Sequence, residues 1–243
     1  DHPPTFSSGD FSLGQLMLRV TVFIVFCVIF LVLTSPVFAT VSCHCFQDRT
    51  FNPSRPSASD AYFLATTQNS LIASALNVSK RSIVQAKMGG ANADLLWVSY
   101  YLSDRTGLDV ADLIGLWTTS GLNGLLAKTD KISLNLDKPF LARINSSTEL
   151  SDLADGAYRS VMIVQLGIEE AALERMEMTK ATRKEQIMAI FLSLLLAEDP
   201  VGIFKSVKAG KQTWSQVLAT TGLDPQQIEP SWSKLIKLQG TGL

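Results

Sequence analysis

The sequence predicts an all-α fold, and three observations lead to this prediction. From Ala61 onward apolar residues recur at three- and four-residue spacing, which is the period of an amphipathic helix. Alternating apolar and polar runs, which would indicate strands, are almost absent, and Ile132–Leu136 is the one short example. A short turn motif occurs several times: a glycine or asparagine that can end one helix, followed two residues later by a serine, aspartate or glutamate that can start the next. We therefore expect an array or bundle of short helix–turn–helix (αα-hairpin) repeats after an N-terminal hydrophobic segment.

The composition is that of a folded chain with few of the residues that catalysis and metal binding use most. Of its 243 residues 47% are apolar and 18% are charged, which excludes intrinsic disorder for most of the length. The formal charge of −1 provides no general attraction to nucleic acid or to an anionic membrane. The two histidines in the whole chain limit general-base catalysis and metal binding. These totals favour a binding protein over an enzyme and predict no cofactor and no nucleic-acid partner.

Residues 17–39 have the three parts of a secretory signal peptide. Arg19 supplies the cationic start, residues 20–33 are apolar apart from one threonine, and small residues lead up to Ala39. We predict that the chain is exported, to a periplasm or to the outside, with cleavage after Ala39. Residues 1–16 are polar and are expected to be a non-native or disordered extension, with Met17 as the initiator.

A retained membrane anchor is the alternative for the same segment. A bilayer requires roughly 20 apolar residues, and Thr34, Ser35 and Pro36 shorten the apolar part below that length. Under this alternative the protein would contact the membrane only through residues 18–39.

An extended arm, residues 40–60, follows the leader and carries Cys43, His44 and Cys45. These are the candidates for a metal or thiol site. Zinc binds four ligands and its paired cysteines are usually further apart, while a disulfide across one residue closes a strained ring. A local clasp or free thiols is the simpler interpretation. A thiol- or metal-dependent envelope protein is therefore the second functional hypothesis.

The recurring turn motif defines the candidate helix-turn repeat positions Asn77, Gly107, Gly167 and Gly222. Each is expected to end a helix in the left-handed conformation, and the serine, aspartate or glutamate two residues later to cap the next helix. Ala197 begins a degenerate fifth copy. The spacing between copies is uneven, so the sequence leaves an open solenoid and a compact bundle as alternatives.

We divide the helical body into an N-terminal half, residues 61–127, a loop, residues 128–139, and a C-terminal half, residues 140–243. The turn motif occurs on both sides of the loop, which favours one continuous packed array. Residues 186–197 are apolar on almost every face, which predicts a central helix buried all round.

Two further patterns are candidates for chemistry. Glu169, Glu170 and Glu174 place carboxylates on one helix face, as a glycosidase needs, but acidic residues also favour a helix start. The spacing of Gly222 and Ile228, near several lysines, matches a DNA-binding helix-turn-helix. That third hypothesis applies only if the leader is not an export signal.

The leading functional hypothesis is an exported, non-enzymatic binding module of the cell envelope or exterior. Its partner would be a protein or peptide of unknown identity, because helical arrays commonly bind through extended surfaces.

Overall fold

Eleven α-helices occupy the part of the chain that the structure, a computed structural model, describes: residues 56–129, 136–146 and 149–240. No strand occurs in these ranges, which confirms the all-α prediction. The helices are α1 Pro56–Ala75, α2 Lys80–Met88, α3 Ala93–Thr106, α4 Val110–Thr129, α5 Lys138–Ser146, α6 Leu150–Ser160, α7 Glu170–Met178, α8 Arg183–Leu196, α9 Pro200–Lys208, α10 Trp214–Thr220 and α11 Ile228–Gly240. A π-helical turn, Val161–Gln165, continues α6, and a 3-10 turn, Pro225–Gln227, precedes α11.

The turns between helices share one local construction. Asn77, Gly107, Gly167 and Gly222 have φ values of 50°, 72°, 61° and 70°. In each turn the serine, aspartate or glutamate two residues later is extended or accepts an amide hydrogen bond at the start of the next helix. Gly90, Lys180 and Ala197 also have positive φ, and each precedes a helix cap by two residues. The left-handed residue closes one helix and the cap opens the next.

Two stretches of the chain depart from regular helix in a different way. Gly121 has φ 58° and ψ −149° and interrupts α4, which then continues. Helices occupy both ends of the predicted loop 128–139, because α4 ends at Thr129 and α5 begins at Lys138. The residues between, 130–135, lie outside the described ranges, as does most of the strand-like stretch.

Three helices form the centre of the core and are buried on all faces over eight consecutive residues each: residues 66–73 of α1, 95–102 of α3 and 185–192 of α8. The expectation of a central helix at 186–197 is confirmed as far as Leu192, after which the helix is partly exposed. Residues from Phe63 to Trp232 join one hydrophobic cluster, which therefore includes both predicted halves.

The packing order distinguishes a bundle from a solenoid. In a solenoid each repeat contacts only its neighbours in sequence. Here α1 packs against α2 and also against α8, α10 and α11, while α6 packs against α3 and α5. The described helices therefore form a bundle. The helices differ in length and in packing partners. The motif therefore recurs as a local turn, and a structural repeat stays a prediction.

Polar contacts fix the C-terminal helices onto α1. The indole Nε1 of Trp232 donates to the carbonyl oxygen of Thr67 at 3.1 Å, and its ring lies 4.7 Å from that of Phe191. The Asp60 carboxylate accepts from the Ser215 amide at 2.9 Å, so a side chain of α1 caps α10. These bonds span more than 150 residues and close the bundle.

Within the described ranges, no helix has the length and apolar character needed to span a bilayer. The predicted leader, residues 17–39, and the Cys43, His44 and Cys45 candidates lie outside those ranges.

Candidate functional site

A cleft of about 270 Å³ lies between α5 and α7 and carries a dense set of charges. One wall is the face of α5 that presents Pro139, Ala142, Arg143 and Ser146. The other wall is a stripe of three glutamates on α7, and Arg159 of α6 completes the lining. We refer to this cavity as the α5–α7 cleft.

The glutamate stripe follows from helix geometry. Glu170, Glu174 and Glu177 stand at i, i+4 and i+7, so their side chains share one face of α7. Glu169 precedes them as the N-cap residue of that helix and does not line the cleft. The structure therefore brings together Glu170 and Glu174 from the predicted carboxylate set and adds Glu177.

Arg159 is the buried charge of the cleft, with 7% of its surface exposed. One terminal nitrogen, Nη2, donates to Glu170 Oε1 at 2.8 Å, and the other, Nη1, donates to Glu177. Burial alone would lower the pKa of Arg159, but the hydrogen bond to Glu170 and the charge of Glu177 outweigh it and raise that pKa. Arg159 therefore stays charged and fixes the outer two glutamates of the stripe.

A close helix contact positions the second arginine. A Cβ atom on Gly156 of α6 would lie 3.0 Å from Arg143 Cγ and 3.2 Å from the Phe140 Cα of α5. Because glycine has no such atom, α5 approaches α6 closely at this point. Arg143 Nη2 then donates to Asp155 Oδ2 at 2.8 Å, which holds the arginine at the wall of the cleft.

Glu174 differs from the other carboxylates of the cleft. Its side chain is exposed, and within the described residues it takes part in no hydrogen bond or ion pair. The cleft thus contains one carboxylate whose charge no neighbouring cation neutralises.

The arrangement does not resemble a hydrolytic pair or a metal site. Arg159 donates to both Glu170 and Glu177, so these two carboxylates are engaged within the protein. No group of three or more histidine, cysteine, aspartate or glutamate residues in the described part of the chain is placed to hold a metal ion. The cleft thus presents two glutamates bound to Arg159 and a third, Glu174, without an ion pair in the described residues.

None of the four predicted turn positions is among the residues that line the cleft. Of the four tryptophans, Trp97, Trp214 and Trp232 are buried and Trp117 is half-buried. The helix-turn-helix spacing falls on α10 and α11, where Ile228 is buried.

Sequence reasoning missed Glu177, Arg143 and Arg159. Glu177 lies seven residues after Glu170, so the helical period that joined Glu170 to Glu174 also contained the signal for it. Arg159 belongs to a different helix, beyond a π-turn and a left-handed glycine, and no sequence spacing indicates that pairing.

The comparisons with known proteins assign no relative: no protein-family model, no curated protein and no solved structure matches this chain.

Proposed function

We propose that this protein is an exported, non-enzymatic binding module that holds a protein or peptide partner in the α5–α7 cleft. The observation that carries the proposal is that the two terminal nitrogens of Arg159, the Arg159 fork, bind Glu170 and Glu177 and leave Glu174 free. A site whose charges are already oriented loses little conformational freedom when a ligand binds.

The chemistry of the cleft supports binding over turnover. Two of its three glutamates are already bound to Arg159, and the third, Glu174, is exposed. The walls are helices rather than loops, which favours a rigid, shaped site.

Export rests on the leader, residues 17–39, and is independent of the cleft. Sequencing the N-terminus of the protein from fractionated cells tests it. Thr40 as the first residue in an exported fraction is the expected result, and an intact leader in a membrane or cytoplasmic fraction contradicts export. A cytoplasmic result would favour the helix-turn-helix alternative.

The thiol or metal alternative at Cys43, His44 and Cys45 has its own test. Mass spectrometry of the protein, with and without reductant and chelator, counts thiols and bound metal. Two unmodified thiols without metal in the exported chain would remove that alternative.

A binding assay tests the function of the cleft. The full chain is immobilised and probed with a pool of random peptides, alongside a Glu170→Gln, Glu174→Gln double variant. Glu198→Gln serves as the matched control, because Glu198 is exposed and lies outside the cleft. Saturable binding by the wild type and the control, and its loss in the double variant, is expected.

Two outcomes would overturn this proposal. One is the absence of any saturable peptide binding by the wild-type chain. The other is turnover of a peptide, glycan or ester substrate that disappears in the double variant, because it would make the glutamates catalytic.

A further inference from the structure

Two exposed residues in the left-handed conformation bracket α7. Gly167 lies three residues before the helix and Lys180 two residues after it, and each has φ 61°. Glycine adopts this conformation without strain, whereas a lysine is strained in it. Short terminal segments of this kind absorb the change in backbone angles when a helix moves as a unit.

Of the described helices, α7 is the one least packed against the bundle. Only α9 lies along it with more than marginal backbone contact, whereas α6 packs along both α3 and α5. Of the nine residues of α7, Leu173 and Met176 alone are buried. In α8, by contrast, residues 185–192 are buried on all faces. Segments with few buried contacts open most readily.

Ion pairs provide much of the attachment of α7. The Arg159 fork binds Glu170 in the first turn of the helix and Glu177 in the last. Arg175 Nη2 lies 3.7 Å from Oδ1 of Asp199, the N-cap residue of α9. The side chains of Glu170, Arg175 and Asp199 are at least half exposed, so dissolved salt can screen these pairs.

We propose that α7 is a flap that turns about Gly167 and Lys180 and is held closed mainly by ion pairs. Opening draws Leu173 and Met176 out of the core and separates the glutamate stripe from Arg159. Ionic strength therefore sets the open fraction, because salt screens exposed ion pairs far more than it affects buried apolar contacts. The flap is independent of the proposed binding function, since it follows from how α7 is attached.

Amide hydrogen exchange of the full chain at two ionic strengths tests the flap. The amides of residues 174–178 donate within α7, so their protection reports its opening. Their protection should fall about threefold or more between about 0.02 M and about 1 M NaCl. Residues 185–192 of α8 are the internal reference and should change little.

Variants separate the ion pairs from the turns. Arg159→Met removes the fork, so salt should no longer promote opening, although α7 opens more often at low salt. Lys180→Asn introduces a residue that adopts the left-handed conformation more readily, so the protection of α7 should rise. Lys184→Gln is the matched control, because it removes the same charge at an exposed position of α8 and should leave α7 unchanged.

The inference is overturned if the protection of α7 does not change with salt, or if α8 loses protection in the same proportion. A salt dependence that persists in full in Arg159→Met would show that the fork does not hold the flap. Lower protection of α7 in Lys180→Asn would contradict the role of that turn.

Discussion

Replacing Arg159 with methionine tests whether this side chain fastens α7 to the bundle. The Arg159 side chain is 9% exposed and donates to a glutamate near each end of α7. Apart from these bonds, α7 inserts Leu173 and Met176 into the core. Methionine keeps much of the apolar stem and removes only the charged fork, so the change isolates the ion pairs.

The magnitude follows from the exposure of the partners. A hydrogen bond to a charged group contributes about 1.5–3 kcal/mol, and the variant loses two of them. The side chains of Glu170 and Glu177 are 65% and 35% exposed, so water solvates both carboxylates once the arginine is gone. Removing a buried cation also recovers its desolvation cost. We therefore expect a net loss of about 2 kcal/mol in the free energy of unfolding.

Urea unfolding measures the global loss, and amide hydrogen exchange locates it. Protection should fall first in residues 170–178 and least in residues 185–192, because α7 is peripheral and that part of α8 is buried all round. Arg159→Lys retains the charge without the fork and should give an intermediate loss. A change below about 0.5 kcal/mol together with unaltered exchange in α7 would refute the fastening role.

Four further substitutions test other parts of the structure. Trp232→Phe should cost about 1–3 kcal/mol in urea unfolding, since it leaves a buried carbonyl without its indole donor; an unchanged midpoint would contradict the closing of the bundle. Gly156→Ala would place a Cβ atom 3.2 Å from the Phe140 Cα, so α5 must move by a few tenths of an ångström. We expect a packing cost of about 1–3 kcal/mol to exceed the gain of about 0.5–1 kcal/mol that alanine brings to a helix, and a stabilised variant would be inconsistent with that contact. Burial alone would raise the pKa of Glu185, but the hydrogen bonds from Lys208 and the preceding cap outweigh it and lower that pKa below 4.5. The wild type should therefore be more stable than Glu185→Gln above the ordinary pKa of a glutamate, and this difference should shrink as the pH falls through the lowered pKa. A difference in the thermal unfolding midpoints of the two proteins that persists in acid would contradict this prediction. Glu174→Gln should leave the unfolding midpoint unchanged or slightly raised, because like charges one turn apart are relieved, and a marked fall would indicate a structural role for that carboxylate.

The turns could be predicted from the sequence because the interactions that form them are local. A glycine or asparagine in the left-handed region and a cap two residues later require no partner elsewhere in the chain. Lys180, which has φ 61°, was the harder case. A lysine rarely adopts that conformation, so nothing in the residue type marks the turn.

The polar run in α1 shows why the core was harder to predict than the turns. Five consecutive polar residues, Thr66 to Ser70, are buried although their composition suggests an exposed face. Some of their partners lie far along the chain: Thr67 contacts the Met188 sulfur and accepts from Trp232, and Asn69 accepts from Lys87. Contacts of this kind appear only after the bundle has closed.

The cleft combines both kinds of information. Helical spacing placed Glu170 and Glu174 on one face, but only the tertiary structure sets Arg159 between Glu170 and Glu177. That arginine explains why three glutamates on one helical stripe are tolerated, since its single positive charge is shared by the outer two and offsets half of their charge. It does not explain Glu174, which adds repulsion one turn from each neighbour at a cost of a few tenths of a kcal/mol. Because Glu174 is exposed, water solvates its charge, and a repulsion of this size is tolerated without an ion pair.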